Sequence, residues 1–335
     1  MIQIGNVCIY GNVALSPMAG ISDSPYRQIT RKLGSAFSYS EFVSTEQIVQ
    51  GNQRSIDMFR FKEMERPIFF QIFGSEADTV IEAAKIIETL QPDVIDLNMG
   101  CSVSKVAHHG SGAGLLKNLK VASHMIEGMR KSLSVPVTAK IRIGWDENNL
   151  NYKETVHVLQ ESGVQAISVH GRTKAMAYTG RANWDVIGEI KSLAKVPIFG
   201  NGDVSTYQEA LSLQDRYKVD LVLIGRKAIG NPWVFHNFSK SNQDRREIFR
   251  TMKEHLESML DFYRSEDEYA LILFRKHFVK YLDSLSFPTD LKTKMLQMTS
   301  VNEFLENLYF GLLHPDERQG ELKTESLSLN CESYV

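Results

Sequence analysis

Eight short apolar runs recur along the first 226 residues, at 13–19, 37–43, 67–73, 94–100, 137–144, 166–172, 197–203 and 221–226. Between them, residues 76–90, 121–133, 153–162 and 206–217 repeat apolar side chains at helical period. Runs this apolar suit strands buried on both faces, which calls for a parallel sheet covered by helices. Eight such units in about 230 residues fit a (β/α)8 TIM barrel by number and by length. A doubly wound open sheet is the competing α/β arrangement. It is disfavoured because no run leads into GxGxxG, and because polar residues end most runs instead of marking one switch point. Ser75 before Glu76 predicts one helix start, and Ser205 with Gln208 predicts another as a capping box. Residues 2–12 alternate around Gly5-Asn6 and Gly11-Asn12, which predicts a small hairpin ahead of the barrel. Hairpin and barrel together account for residues 1–240.

After Pro232-Trp233 the pattern changes. From 244 onward no strand-like run occurs, while Leu271, Phe274, Phe278, Tyr281, Leu282 and Leu285 recur at helical spacing. Residues 248–262 carry a similar stripe, so a small all-α domain is expected over 244–313, with Pro288 in a turn. The stretch 315–335 is polar and reads as a poorly ordered tail. With 43% hydrophobic and 23% charged residues, the chain has the composition of a globular protein. Its 38 basic and 40 acidic residues leave a formal charge of -2, which excludes a nonspecific polyanion binder but permits a local basic face. Cys8, Cys101 and Cys331 are odd in number and far apart, so no disulfide framework is expected and a reducing cytoplasm suits them. No secretory signal or membrane-spanning run is visible, and a cytoplasmic monomer without a membrane partner is the expectation.

Chemistry-bearing residues stand where the runs end: Ser16-Pro17-Met18-Ala19, Glu41, Gln71, Asn98 with Cys101, Lys140 with Arg142, His170 with Arg172, Asn201-Gly202-Asp203, and Gly225-Arg226. Any one of them could be an internal hydrogen bond or a solvated rim. Together, at one end of buried strands, they predict the lining of a single pocket. The run 94–100 stops at Gly100 with a thiol just beyond it, and the small, polar, glycine-rich residues 102–114 follow as a covering loop. Asn201-Gly202-Asp203 and Gly225-Arg226 end the seventh and eighth runs, where such barrels hold phosphate on backbone N–H groups. The Asp203 carboxylate would repel phosphate, so it is expected to brace the turn before Ser205 and offer only its backbone. Lys140 shares a strand face with Thr138 and Arg142. A buried ammonium needs an anion, which is either a reduced flavin ring or a carboxylate such as Glu41 or Asp96. His108-His109 has no further ligands at metal spacing and reads as solvated loop, so no metal is expected. Trp145, Trp184 and Trp233 read as packing residues.

The motifs at 16–20, 71–74, 96–101, 105–106, 110–116, 140–142, 170–173, 201–203 and 224–226, in this order and spacing, resemble the tRNA-dihydrouridine synthases in their bacterial B-type branch. The resemblance covers about residues 5–240 strongly and the helical domain loosely. It implies an FMN enzyme in which Pro17, Met18, Ala19, Gln71, Lys140, Asn201, Gly202, Asp203, Gly225 and Arg226 bind the flavin with His170 beside it. NADPH (or NADH) would be the electron donor. Hydride would pass to C6 of a tRNA uridine, Cys101 would protonate C5, and Asn98 would orient the base. A thiol suits the acid role because its ordinary pKa of about 8.5 keeps it protonated at neutral pH. For the tRNA, Lys105, Arg142 and Arg172 at the mouth and Arg275, Lys276, Lys280, Lys292 and Lys294 in the helical domain are the candidate contacts. Lys276 and Lys280 would share an outward helix face by i,i+4 spacing. One departure stands out: the family carries proline directly after the cysteine, and this chain has Ser102, which would loosen the loop. Two rival readings are a flavin barrel acting on a free pyrimidine, and a tRNA-binding flavoprotein whose catalysis is lost or secondary.

Overall fold

A computed structural model describes residues 1–237, 243–263 and 267–314, so the expected tail lies outside the described residues. The chain opens with the hairpin β1 (Ile2–Ile4) and β2 (Val7–Ile9), turned at Gly5. The barrel strands follow: β3 (Val13–Leu15), β4 (Ser38–Tyr39), β5 (Val43–Ser44), β6 (Ile68–Phe73), β7 (Val94–Met99), β8 (Val137–Arg142), β9 (Ile167–His170), β10 (Ile198–Asn201) and β11 (Leu221–Ile224). They form one parallel sheet in the order β3-β11-β10-β9-β8-β7-β6-β4, with β5 continuing the second stave along β6. The Ala36 N–H donates to the Val13 carbonyl at 2.8 Å and draws the two ends of the sheet together. The eight-unit α/β barrel read from the sequence is therefore present.

Every barrel strand is shorter than its apolar run, and most are trimmed at the C-terminal end. Glycines recur among the trimmed residues: Gly100, Gly144, Gly171, Gly202 and Gly225 all fall beyond the strand ends. Gly202 and Asp203, for instance, take φ of 139° and 56°, which carries the chain out of the ladder after Asn201. The second stave is interrupted because the Ser40 hydroxyl, rather than a strand carbonyl, accepts the Gln71 N–H at 2.9 Å. Below the rim, Phe37, Tyr39, Phe69 and Phe199 fill the barrel and pack against Ile4 and Ile9 of the hairpin. Phe37 and Phe69 stack with centroids 4.4 Å apart. The hairpin thus caps the N-terminal end with apolar surface, and chemistry is confined to the opposite mouth.

The outer helices Ala77–Glu88, Leu119–Ser132, Tyr152–Glu161 and Tyr207–Tyr217 match the periodic segments. Ser24–Lys32 and Trp184–Leu193 are two more, not picked out by the sequence pattern. Two expected caps are corrected. The helix after Ser75 begins at Ala77 with Glu76 in the cap position and no side-chain cap bond. The other cap is Thr206, whose hydroxyl accepts the Glu209 N–H at 3.1 Å while the Glu209 carboxylate takes the Ser205 N–H. The cap thus falls one residue later than expected, and the Glu209 carboxylate reaches past it to the Ser205 backbone.

Helices Arg245–Tyr263, Asp267–Tyr281, Thr289–Met295 and Val301–Leu313 form the second domain around Met252, Leu256, Phe274, Phe278 and Leu308. Helix Ser24–Lys32 joins the two domains. The Tyr263 hydroxyl donates to the Asp23 carboxylate at 2.8 Å, and the Tyr26 ring lies 5.1 Å from His255. Beneath that junction Arg27 is fully buried, with Nε 2.6 Å from the equally buried Glu65 carboxylate. Its remaining nitrogens donate to the Ser22 and Arg60 carbonyls. Removing Glu65 leaves a guanidinium in a dry interior. Glu65→Ala is therefore expected to cost ~3–5 kcal/mol in urea unfolding; a loss under about 1 kcal/mol, typical of an exposed pair, would contradict this reading.

Candidate active site

The site grows from a tier of polar side chains that β6, β7 and β8 project into the barrel. Asp96 is fully buried and accepts from Gln71 Nε2 at 2.7 Å and Thr138 Oγ1 at 2.6 Å. Burial drives its carboxyl up to about 6 against the pull of those two donors and of Lys140. Gln71 Oε1 accepts from Asn98 Nδ2 at 2.8 Å, and Asn98 Oδ1 accepts from the backbone N–H groups of Gly100 (3.0 Å) and Cys101 (2.9 Å). The tier therefore ends on the backbone of the thiol residue. Gln71 and Asn98, expected at the cofactor and at the base, have their amides engaged in this chain and act as braces here.

Register sets Lys140 opposite Asn98 on one side and Ser168 on the other. The side chain is buried, and Nζ donates to Asn201 Oδ1 at 3.1 Å, while Asn201 Nδ2 donates to the Leu223 carbonyl. Neither candidate carboxylate pairs with it. Glu41 accepts the Gly20 N–H at the rim, and Asp96 gives its oxygens to Gln71 and Thr138. Among the described residues Lys140 has no ion-pair partner. Burial, followed by the charge of Arg142, lowers its pKa to about 8, with Asp96 opposing from a distance.

Three arginines line the same mouth, and two of them are placed differently from expectation. Arg172 is 2% exposed and donates to both Asp203 carboxylate oxygens at 2.7 Å and to the Thr179 and Gly180 carbonyls. Its charge is neutralised and enclosed, so it does not reach an RNA phosphate. Asp203, also bonded to the Ala182 N–H, faces this cluster instead of bracing the turn before Ser205. Burial pushes its carboxyl up, but the Ala182 N–H and Arg172 outweigh it and hold it below the ordinary range. Arg142 is likewise buried: it donates to the Gly100, Thr173 and Ala177 carbonyls and, at 3.4 Å, to Ser102 Oγ. It ties the thiol loop to the loop after β9 and has no face free for RNA. The Ser102 hydroxyl gives that loop a contact where a looser backbone was expected. Only Arg226 keeps solvent access, with its guanidinium 4.9 Å from the Tyr178 ring centre. Tyr178 gave no sequence signal because it lies in an aperiodic loop.

His170 sits beneath Arg172, whose Nη1 is 3.3 Å from Nε2. Burial first, then Lys140, Arg142, Arg172 and Arg226, hold this imidazole neutral, far below its ordinary pKa. Pro17, Met18 and Ala19 follow β3, where Met18 N–H donates to Ser22 Oγ. Gly225 packs beside the residues after β3: a Cβ built there would touch Met18 Sδ and Ser16 Cβ, both at 3.8 Å, in ordinary van der Waals contact. Cys101 is half-buried, and burial raises its thiol pKa against the Val103 N–H and Arg142.

The helical-domain cations are mostly engaged. Arg275 donates to the Met298 carbonyl at 3.3 Å and Lys280 to Asp283 at 2.9 Å. Lys276 does not share an outward face with Lys280. Its Nζ points back at the barrel, 3.3 Å from where a Cβ on Gly20 would stand, and its charge acts on Asp23 and Glu41. Buried Asp23 and half-buried Glu41 both attract it. Lys105 is exposed on the short helix of the thiol loop, and Lys294 is exposed on its helix, as expected.

The family model described as dihydrouridine synthase matches residues 14–313. The chain belongs to the dihydrouridine synthase family. A tRNA-dihydrouridine synthase B from Pseudomonas putida is 35% identical over 290 residues, covering 84% of this chain and 85% of that protein. A probable tRNA-dihydrouridine synthase from Rickettsia prowazekii is 29% identical over 325 residues, covering 93% and 99%. Among solved structures, histamine dehydrogenase from Rhizobium sp. 4-9 aligns with TM-score 0.54 at 12% identity, over 76% of this chain and 50% of that one. A 2-naphthoyl-CoA reductase complex gives TM-score 0.55 at 11% identity, over 69% and 50%. The chain spans about half the length of these two structures, and the likeness shows the barrel fold alone.

For this dihydrouridine synthase the raised thiol has a direct readout. In a Cys8→Ser, Cys331→Ser background, alkylation of Cys101 should rise with a midpoint above about 8.5, the ordinary thiol value. Arg142→Lys, which keeps the charge but loses the fork across the two loops, should speed alkylation throughout. A midpoint below about 8.5 would contradict the burial of the thiol.

Proposed function

We propose that this chain forms dihydrouridine in tRNA, reducing the 5,6 double bond of a uridine with FMN as the bound redox group and NADPH (or NADH) as electron donor. One observation carries the reading: among the described residues Lys140 is a buried ammonium without an anionic partner, on the rim where Cys101 stands. Such a cation fits the electron-rich pyrimidine edge of a flavin. The remaining donors fit as well. Arg226 is half-exposed, with only a long 3.5 Å contact to Asp203, whose carboxylate is held by two 2.7 Å bonds from Arg172. Lys140, Asn201, Gly202, Gly225 and Arg226 would hold the group, with Ser16 and Met18 of the segment after β3 beside Gly225. Bound there, FMN supplies hydride chemistry at C6 of the base.

The chain's own residues do the rest. Cys101 Sγ delivers a proton to C5, and its raised pKa keeps the thiol loaded at neutral pH. Asn98 fixes the backbone of that residue from below, and Arg142 fixes the Gly100 carbonyl from the side. Lys140 would offset negative charge on a bound flavin, while neutral His170 adds no competing cation. The uridine must be turned out of the tRNA to enter the mouth, since base edges are not reachable inside a folded RNA. Exposed Lys105, on the loop that carries the acid, suits an approaching phosphate.

Cys101→Ala separates these roles. The variant should purify yellow and oxidise NADPH at close to the parent rate, while dihydrouridine formation falls by about 10²-fold or more. Undiminished dihydrouridine by mass spectrometry of the tRNA would remove Cys101 from the proton step.

A further inference from the structure

Trp145 lies three residues past Arg142, at the outer edge of the mouth, and two ammonium groups crowd its indole. Lys117 Nζ is 3.5 Å from the ring centre and Lys174 Nζ is 4.4 Å from it. His108, on the loop that carries Cys101, meets the same ring edge-on at 6.1 Å. The backbone holds this arrangement firmly. Lys174 and Ala175 donate to the Gly144 and Trp145 carbonyls, and a Cβ on Gly144 would fall 2.3 Å from the Asn149 carbonyl oxygen. Neither lysine forms an ion pair among the described residues, and the nearby Asp146 carboxylate caps its own turn at Asn148 and Asn149.

The way these charges are held decides what they can do. An ion pair cancels a cation, as Asp283 does for Lys280 and Asp203 for Arg172. An aromatic face orients a cation through its quadrupole and leaves the net charge intact. Two uncancelled ammonium groups held on one indole form a seat for a polyanion.

We propose that Lys117 and Lys174, organised by Trp145, grip backbone phosphates of the RNA substrate next to the thiol loop. This rests on the tRNA reading above, and it moves the main electrostatic grip from the helical domain to the barrel rim.

The test uses flavin-loaded protein and unmodified tRNA. Lys117→Gln with Lys174→Gln should weaken tRNA binding about tenfold at low salt and flatten the slope of log affinity against log salt by about one to two. Trp145→Leu keeps both charges but frees them, and should lose affinity to an intermediate extent. Flavin content and NADPH oxidation should match the parent in each variant. The melting temperature should match it in the double lysine variant, while Trp145→Leu, which also removes packing on the core, can melt lower. An unchanged salt slope would overturn the proposal. So would a raised KM for NADPH with tRNA affinity intact, which would give the lysines to the dinucleotide. A parent protein with no affinity for tRNA would overturn both this inference and the reading on which it rests, whereas dihydrouridine formation with an unchanged slope would sink this one alone.

Discussion

Desolvating an ammonium group without an anion beside it is among the costliest things a fold can do, and this barrel does it at Lys140. The strands around it supply amides and a hydroxyl, not carboxylates: Asn98 in β7 and Ser168 in β9 stand opposite Lys140, and Asn201, two strands on in β10, accepts its hydrogen bond. Much of the surrounding architecture follows from that choice. Asp96, one tier lower, is kept busy by Gln71 and Thr138, and Asp203 is drawn onto Arg172. Each carboxylate that could neutralise the lysine is occupied elsewhere, so its charge stays available to a ligand. The apolar hairpin seals the far end of the barrel, leaving one mouth through which that ligand can come.

Around this cation the site divides labour between holding and reacting. Arg142 and Arg172 are spent on backbone carbonyls of the two loops that frame the mouth. Their cost in burial is offset by many charge-assisted hydrogen bonds, and the return is a thiol loop fixed on two sides. Asn98 holds the same loop from beneath. Cys101 is thus delivered at a set place with its proton retained, while the outer cations Lys105, Lys117 and Lys174 remain exposed or un-neutralised where RNA would pass. The Ser102 hydroxyl, in the place of a rigid ring, lies 3.4 Å from Arg142 Nη2 and so joins the bonded set.

Much of this was legible in the sequence because strands buried on both faces leave polar residues no reason to occur except at their ends. Gly100, Gly202 and Gly225 marked those ends, and period-two alternation put Thr138, Lys140 and Arg142 on one face. What alternation does not give is the partner across the barrel. The carbonyls that absorb Arg142 come from residues 173 and 177, in an irregular loop with no pattern of its own. The helical lysines misled for a related reason. Spacing of i,i+4 places Lys276 and Lys280 on one stripe, but helix Asp267–Tyr281 packs against both the barrel and its neighbours, so Lys276 meets Asp23 and Glu41. Helix Ser24–Lys32 was hidden because its buried face includes Arg27, Gln28 and Thr30 beside Tyr26 and Ile29. Charges satisfied by distant residues look like surface in a linear reading.

The flavin content and apoprotein stability of Lys140→Met measure the central claim most directly. Below about pH 8 the folded lysine carries its full burial penalty, which fades as the pH rises toward 10.5. At pH 7 the variant should therefore lose its flavin while its apoprotein melts no lower than the parent apoprotein. A variant that keeps its colour, or an apoprotein that melts far below the parent, would mean that Lys140 serves the fold and not a bound anion.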